Sequence, residues 1–135
     1  MACFLFKTEP SAYAFADLVR EKRTVWEGVA NAVALKHLRT VERGDTVLIY
    51  HTGDEKAVVG IARAVSNPYA DPKLDDPRRV VVDIAPLRAL QQPVALATFR
   101  ADPVLATTEL VRISRLSVMP LTAVHLARIE KLAER

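Results

Sequence analysis

The sequence contains a single cysteine, Cys3, so it excludes an intrachain disulfide. Cys3 also has no second thiol with which to form a metal site, and we expect it to be a small buried hydrophobic residue in a reducing compartment. No segment approaches the roughly 18 consecutive apolar residues of a membrane-spanning helix. The segment MACFLFKTEP reaches a lysine and a proline too early for a signal peptide. These absences predict an intracellular, cytoplasmic protein that has no membrane partner.

Glycines and histidines are also few, and their spacing lacks the common catalytic patterns. The four glycines, at positions 28, 44, 53 and 60, are too scattered for a phosphate-binding loop, which needs consecutive backbone amides. The three histidines, at positions 37, 51 and 125, do not have metal-ligand spacing, and we expect His125 on the surface. No serine occupies a strand–turn–helix elbow. We therefore expect a protein that is not an enzyme and has neither a metal nor a cofactor.

The charge is nearly balanced, with 19 basic and 16 acidic residues and a formal net charge of +3. This mild excess is compatible with a polyanionic partner but does not require one. Basic residues cluster within 20–23, 36–43, 78–79 and 112–115, and acidic residues lie near several of these clusters. We interpret each cluster as a solvated face and expect non-specific nucleic-acid binding to be weak.

The hydrophobic pattern predicts an α+β fold, and the length of 135 residues suits a single domain over residues 1–135. Extended runs at 46–52 and 57–65 flank the polar turn GDEK and predict an antiparallel hairpin. Gly60 inside the second run predicts a bulge or a close approach of the backbone. Further strands are predicted at 2–7 and 79–85, in one sheet system with the hairpin. The prolines and aspartates of 67–77 predict an exposed loop between strands.

Helices are expected at the edges of this sheet. Helical spacing predicts a first helix over 13–21, and Asn31 is the expected N-cap of a second. The segment ALATFRAD predicts a brief helix, whereas RISRLSVMP is predicted to be extended. Thr122 is the expected cap of a last helix, with Leu121 packed on Leu126 as a hydrophobic staple.

Several side chains suit the binding of a flat polar molecule. Trp26, the only tryptophan, and Tyr50 offer faces for stacking. Donors and acceptors for the ligand edges are Lys7, Glu9, Asn31, His51, Thr52 and Ser117. Structural interpretations stay open beside these roles: Trp26 as a core residue, Asn31 as a helix cap only and His51 as a satisfied interior histidine. Truncation of Trp26 to alanine costs about 3–5 kcal/mol if the indole is a core residue, and much less if it is only a pocket wall.

Seven short motifs together resemble the EVE domain family. In chain order they are FKTEP (6–10), WEGVAN (26–31), RGDTVLIYHTG (43–53), VVGIARAV (58–65), PYADP (68–72), VVVDI (80–84) and RLSVMPL (115–121). The resemblance covers nearly the whole chain. It implies a PUA-like small β-barrel with peripheral helices, and a pocket for modified nucleobases in DNA or RNA, or for a modified nucleotide.

The resemblance also implies the residues of that pocket. Trp26 would form a wall, and Gly28 would let the backbone approach the ligand. The full implied set, expected to converge on one cavity in a monomer, is Lys7, Glu9, Trp26, Gly28, Val29, Asn31, Tyr50, His51, Thr52 and Ser117. This chain departs from the family at Glu27, where an aspartate is common, and at Ala30 and Ala32 or Val33, where the family often has an arginine and an aromatic residue. It also has Ser114 where a glycine is frequent in the family.

Two alternatives to a base-binding module stay open. The first is an enzyme acting on a modified nucleoside or nucleotide, with Glu9 or His51 as the acid or base. The second is a protein-interaction domain in which the pocket is vestigial.

Overall fold

A computed structural model describes residues 1–134 of the chain. Its strands and helices, in chain order, are β1 (Cys3–Thr8), α1 (Phe15–Glu21), β2 (Thr24–Trp26), α2 (Ala32–Leu38), β3 (Thr46–His51), β4 (Ala57–Ala64), β5 (Tyr69–Ala70), β6 (Val80–Ala95), α3 (Leu96–Ala101), α4 (Glu109–Arg112), β7 (Val118–Leu121) and α5 (Ala123–Ala133). One 3-10 turn, Leu105–Thr107, lies between α3 and α4.

The strands form a curled half-barrel sheet with the order β2-β6-β4-β3-β1-β7, and β5 pairs with β6. β1 runs parallel to β3, with Cys3 opposite Thr46 and Thr8 opposite His51. All other strand pairs are antiparallel. The runs predicted as strands at 2–7, 46–52, 57–65 and 79–85 all lie in this one sheet system. The predicted α+β, PUA-like fold is confirmed.

Gly60 lies at an irregularity of the β3–β4 hairpin. The register shifts between Ile49 and Tyr50 on β3 and between Val58 and Gly60 on the β4–β6 side. A Cβ added at position 60 would lie 2.5 Å from ring atoms of Phe15. The predicted bulge is therefore present, and the group that approaches the backbone is an aromatic side chain from α1.

β6 is much longer than the predicted strand at 79–85. It continues to Ala95, through two prolines, because β2, β5 and β4 pair with successive parts of it. Register shifts in the β4–β6 pairing accommodate the irregular stretch. The extended interpretation of RISRLSVMP is wrong for its first half, where Arg112 ends helix α4 and a turn precedes β7. The predicted loop at 67–77 is mostly exposed, but it contains β5 and a buried residue, Asp71.

The two predicted helix caps, at Asn31 and Thr122, are present. The Oδ1 atom of Asn31 accepts hydrogen bonds from the N–H groups of Val33 and Ala34 at 2.9 and 3.0 Å. At the start of α5, Thr122 Oγ1 accepts from the N–H of His125, and His125 Nδ1 accepts from the N–H of Thr122, both at 3.1 Å. These bonds satisfy backbone donors that the first turn of a helix leaves free.

The sheet and helices enclose one cluster of buried apolar side chains. Cys3 belongs to it, as expected, and burial raises the pKa of its thiol to about 12, with smaller contributions from Glu130 and Asp45. Within residues 1–134, no helix combines the length and the apolarity needed to cross a membrane.

Candidate functional site

A cleft opens beside the indole of Trp26, between the end of β1, the segment before α1, and β2. Its volume is about 350 Å³, within the range of roughly 300–1,000 Å³ found for small-molecule pockets. We call it the Trp26 cleft, and its lining residues are Thr8, Ala12, Tyr13, Glu21, Thr24, Val25, Trp26 and Glu27.

Trp26 is both a core residue and a wall of this cleft. Its relative exposure is 8%. The indole lies 5.4 Å from the ring of Phe6, at a tilt of 39°, and 6.2 Å from the ring of Tyr13, nearly edge-on at 83°. The alternatives of core residue and pocket wall are therefore not exclusive, and Trp26 contributes packing energy whatever the cleft binds.

The polar part of the Trp26 cleft is rich in hydrogen-bond acceptors. The hydroxyl of Tyr13 donates to Glu21 Oε1 at 2.6 Å, and Lys73 Nζ lies 3.3 Å from Glu27 Oε2. Burial raises the pKa of Tyr13, and the hydrogen bond to Glu21 raises it further. Because carboxylates accept but do not donate, this rim favours a ligand edge that carries N–H groups.

A second cleft, of about 270 Å³, lies on the other face of β1. We call it the Lys7 cleft, and its lining residues are Lys7, Tyr50, Thr52, Gly53, Lys56, Leu96, Arg100, Leu110 and Ser114. Lys7 Nζ donates to the carbonyl of Ser114 at 2.7 Å and lies 5.7 Å from the centroid of the Tyr50 ring. Burial lowers the pKa of Lys7 and raises that of Tyr50, and the charge of Arg100 partly opposes the second shift.

The predicted residues do not converge on one cavity. Trp26 lines one cleft, whereas Lys7, Tyr50 and Thr52 line the other. The reason is the alternation of side chains along a strand, since Lys7 and Thr8 are consecutive and point to opposite faces of β1. The two clefts therefore lie on opposite sides of β1 at this point.

His51 and Glu9 are engaged with the protein itself. Phe15 N–H donates to His51 Nε2 at 3.0 Å, and His51 Nδ1 lies 2.6 Å from Glu55 Oε1. This arrangement requires the tautomer with a proton on Nδ1, and both ring nitrogens then have protein partners. Glu9 Oε2 accepts from Thr52 Oγ1 at 3.2 Å, while its Oε1 accepts from Ser11. A ligand-binding or acid–base role would require one of these bonds to be exchanged.

The remaining predicted residues have mainly backbone roles in this structure. Gly28 has a φ of +83°, which favours glycine, but beyond its chain neighbours no atom lies within 4 Å of the position of a Cβ. The carbonyl of buried Val29 accepts from Arg79 Nε at 3.0 Å, and Asn31 caps α2. The carbonyl of Ser117 accepts from the N–H of Lys7 at 2.9 Å.

Sequence reasoning missed most of the residues that complete the two clefts. Tyr13, Glu21 and Glu27 supply the polar rim beside Trp26, and Lys56 and Arg100 supply charge beside Lys7. Lys56 and Arg100 are isolated along the chain, so they belong to none of the basic clusters of the sequence. Among residues 1–134, no group of three or more His, Cys, Asp or Glu side chains is arranged to hold a metal ion.

Comparison with known proteins identifies the family. The EVE domain pattern matches residues 2–132. The chain belongs to the EVE domain family. The fold of this EVE domain superimposes on the NMR structure of Rpa0253 from Rhodopseudomonas palustris with a TM-score of 0.94 and 36% sequence identity, covering 99% of this chain and 94% of that one.

Two mammalian relatives extend the comparison. Thymocyte nuclear protein 1 of Mus musculus is 29% identical over 154 residues, which cover 88% of this chain and 68% of the relative. The human THYN1 protein, whose crystal structure is a complex with DNA that contains 5-methylcytosine, has a TM-score of 0.91 at 24% identity and covers 100% of this chain and 99% of that one. At this level of identity, the second likeness concerns the fold.

Of the departures from the family pattern, Ser114 lines the Lys7 cleft and Glu27 lines the Trp26 cleft of this EVE domain. Glu27 lines the cleft and forms an ion pair with Lys73 from the 67–77 segment. Ala30 and Ala32 are exposed and provide no charge or aromatic ring. The charge close to the Trp26 cleft is therefore largely acidic.

Proposed function

We propose that this EVE domain binds DNA and holds one modified base, flipped out of its stack, in the Trp26 cleft without covalent chemistry. The observation that carries the proposal is the 350 Å³ cleft with an indole wall and an acceptor-rich rim. The family supports it, because human THYN1 has been crystallised with DNA containing 5-methylcytosine. We also propose that the protein is intracellular, because the DNA that it would bind is inside the cell.

The chemistry of the cleft fits a flipped base. A base must leave the duplex before its edge and both faces can be inspected, which costs a few kcal/mol. Stacking on an aromatic side chain returns about 1–3 kcal/mol per base. Trp26 and Tyr13 meet nearly at a right angle, so one ring can stack on a base while the other contacts its edge.

The rim of the Trp26 cleft selects among bases. Carboxylates accept from the exocyclic amino group of cytosine, as Glu and Asp do in the major groove. Glu21 and Glu27 would therefore favour a base with an amino group, such as a modified cytosine or adenine. Thymine has a carbonyl at the position of that amino group. Its partly negative oxygen would be repelled by the negative oxygens of the carboxylates.

A binding panel tests this proposal. Oligonucleotides with 5-methylcytosine, 5-hydroxymethylcytosine, N6-methyladenine or no modification, each as DNA and as RNA, would be titrated at one stated salt concentration, because phosphate contacts make affinity salt-dependent. Trp26 is the only tryptophan, so its emission reports on the cleft directly. We expect a modified DNA to bind more tightly than its unmodified counterpart and to change that emission.

Two variants and an analysis of the recovered ligand distinguish the possible explanations of the binding results. Glu27→Gln removes a charge from the rim of the cleft and should reduce discrimination between bases, whereas Glu134→Gln, on an exposed residue at the end of α5, should not. Equal binding of modified and unmodified strands would contradict the proposal. Recovery of a chemically altered ligand would support the enzyme alternative, and binding of no nucleic acid at all would support a protein-interaction domain.

A further inference from the structure

The Lys7 cleft concentrates positive charge. Three of its lining residues, Lys7, Lys56 and Arg100, are cationic, and none of the side chains that line it is a carboxylate. Tyr50, Leu96 and Leu110 supply the apolar part of the wall. The cleft thus combines a low-dielectric wall with charge of a single sign, which strengthens attraction to an anion.

These three cations have no acidic partner within the described part of the chain. No carboxylate of residues 1–134 lies within ion-pair distance of Lys7, Lys56 or Arg100. Elsewhere, basic side chains do form ion pairs, including Arg20 with Asp17, Arg88 with Glu130 and Arg128 with Asp102. The charge of the Lys7 cleft is therefore available to a ligand.

Lys7 has donors left for such a ligand. An ammonium group has three N–H donors, and the hydrogen bond to the Ser114 carbonyl uses one of them. Burial lowers the pKa of Lys7, which is the expected effect on a cation that has lost water without gaining a counter-charge.

Lys56 is held in position by an uncommon backbone conformation. Its φ is +45°, a region that favours glycine and asparagine over lysine. The carbonyl of Lys56 accepts from the N–H of Leu96 at 2.8 Å, which fixes the hairpin turn against the start of α3. Outliers of this kind are strained and occur often at ligand sites.

The two clefts share a wall. Lys7 lines one and Thr8 the other, and consecutive Cα atoms are about 3.8 Å apart. Thr52, which lines the Lys7 cleft, also contacts Glu9 just beyond β1. A ligand that contacts both clefts would therefore pass over residues 7–9 and 52–53.

We propose that the Lys7 cleft is a phosphate-binding site, and that it holds the phosphate attached to the nucleoside whose base occupies the Trp26 cleft. This inference rests on the proposed function for the second half of the statement only. Lys7, Lys56 and Arg100 neutralise the phosphate, and Arg100 provides a planar fork that can pair with two of its oxygens. The Trp26 cleft then reads the base, while the Lys7 cleft fixes its position along the strand.

A second basic groove is a weaker candidate for this role. Arg23, Arg43 and Arg63 line a shallow groove at the opposite end of β3, which we call the arginine groove. Arg23 is already paired with Asp83 at 2.8 Å. A phosphate there would be repelled by that carboxylate. No carboxylate lines the Lys7 cleft, and Glu9 beside it already accepts hydrogen bonds from Thr52 and Ser11.

The test compares ligands that differ by one phosphate. The affinities of 5-methyl-2′-deoxycytidine, its 5′-monophosphate and its 3′-monophosphate, and inorganic phosphate alone, would be measured for the wild type, for Arg100→Gln and for the control Arg63→Gln in the arginine groove. Both arginines are exposed, and circular dichroism verifies that each variant is folded. We expect one monophosphate to bind roughly tenfold or more tightly than the nucleoside, and this advantage to disappear in Arg100→Gln but not in Arg63→Gln.

The outcomes separate this inference from the proposed function. If the nucleoside binds and neither phosphate adds affinity, or if Arg100→Gln keeps the advantage, the phosphate site is wrong and base reading stands. If the nucleoside does not bind but inorganic phosphate binds the wild type and not Arg100→Gln, the phosphate site stands and base reading fails.

A last arm asks whether the phosphate belongs to a strand. Methylphosphonate would replace one linkage beside the modified base of an oligonucleotide, first on its 5′ side and then on its 3′ side. If the site holds a backbone phosphate, one replacement weakens wild-type binding and has little further effect in Arg100→Gln. If neither replacement matters while the monophosphate keeps its advantage, the site serves free nucleotides.

Discussion

The ring of Phe15 lies directly over the backbone of Gly60, so close that a Cβ at position 60 would stand 2.5 Å from the ring. The contact joins α1 to the β4 strand at the point where the hairpin register shifts. It also places the N–H of Phe15 against His51 Nε2. A single glycine therefore determines how closely α1 approaches the sheet, and with it one side of the Trp26 cleft.

Gly60→Ala should destabilise the protein by about 1–3 kcal/mol, the usual cost of an added methyl group in a close-packed site. Denaturant unfolding measures the change. Phe15→Leu in the same chain makes room for the methyl group, so the double variant should be more stable than the sum of the single effects predicts. Strict additivity of the two changes would show that the ring does not limit position 60.

Trp26→Ala should cost about 3–5 kcal/mol of unfolding free energy, because the indole packs in the core as well as lining the cleft. Circular dichroism must follow the unfolding, since the variant has no tryptophan. This result would exclude the interpretation of Trp26 as a wall with little structural role. Binding studies should instead use Trp26→Phe, which keeps an aromatic face, with Tyr13→Phe as a control that keeps both rings.

His125 should make the protein sensitive to mild acid. Burial lowers the pKa of His125, and its Nδ1 accepts the N–H of Thr122 in the cap of α5. A depressed histidine pKa means that the unfolded chain takes up the proton first. The corresponding stability is present above the unfolded value of about 6.5 and is lost as the pH falls through the folded pKa.

The comparison with His125→Gln isolates this effect, because glutamine can complete the same cap and does not titrate. Between about pH 7.5 and about pH 5, the unfolding free energy of the wild type should fall more than that of the variant. A parallel fall in both proteins would place the acid sensitivity elsewhere.

Non-specific DNA binding should be weak and should depend on few phosphate contacts. Six basic side chains are engaged in ion pairs with carboxylates: Arg20, Arg23, Lys73, Arg78, Arg88 and Arg128. For an unmodified duplex, a plot of log Kobs against log salt should be shallower than about −5, the slope of roughly six contacts. A steeper slope would reveal a larger basic face than the Lys7 cleft and the arginine groove provide.

Local signals in the sequence predicted most of the fold. The caps at Asn31 and Thr122 and the hairpin around 53–56 depend on residues within one turn of each other, so they are visible without tertiary structure. The length of β6 could not be predicted from local sequence, because its pairing with β2, β5 and β4 overrides two prolines. Tertiary pairing of this kind outweighs local propensity.

The candidate site was predicted less well than the fold. The sequence pointed to Trp26 and Lys7 but placed them in one cavity, whereas the alternation along β1 sends the side chains of residues 7 and 8 to different clefts. Lys7, Lys56 and Arg100 come from three distant segments, and only the folded chain brings them together. Glu21 looked like one more charge in a solvated cluster, but it lines the Trp26 cleft.

The position of β1 within the sheet has a consequence for biosynthesis. β1 lies between β3 and β7, and Phe6 is opposite both Ile49 and Val118. β1 leaves the ribosome long before β7, so one edge of an apolar strand stays open while the intervening segments are translated. An open edge of this kind pairs readily with other chains. Nascent chains arrested before residue 118 should therefore aggregate or recruit chaperones, whereas release of the β7 segment closes the edge.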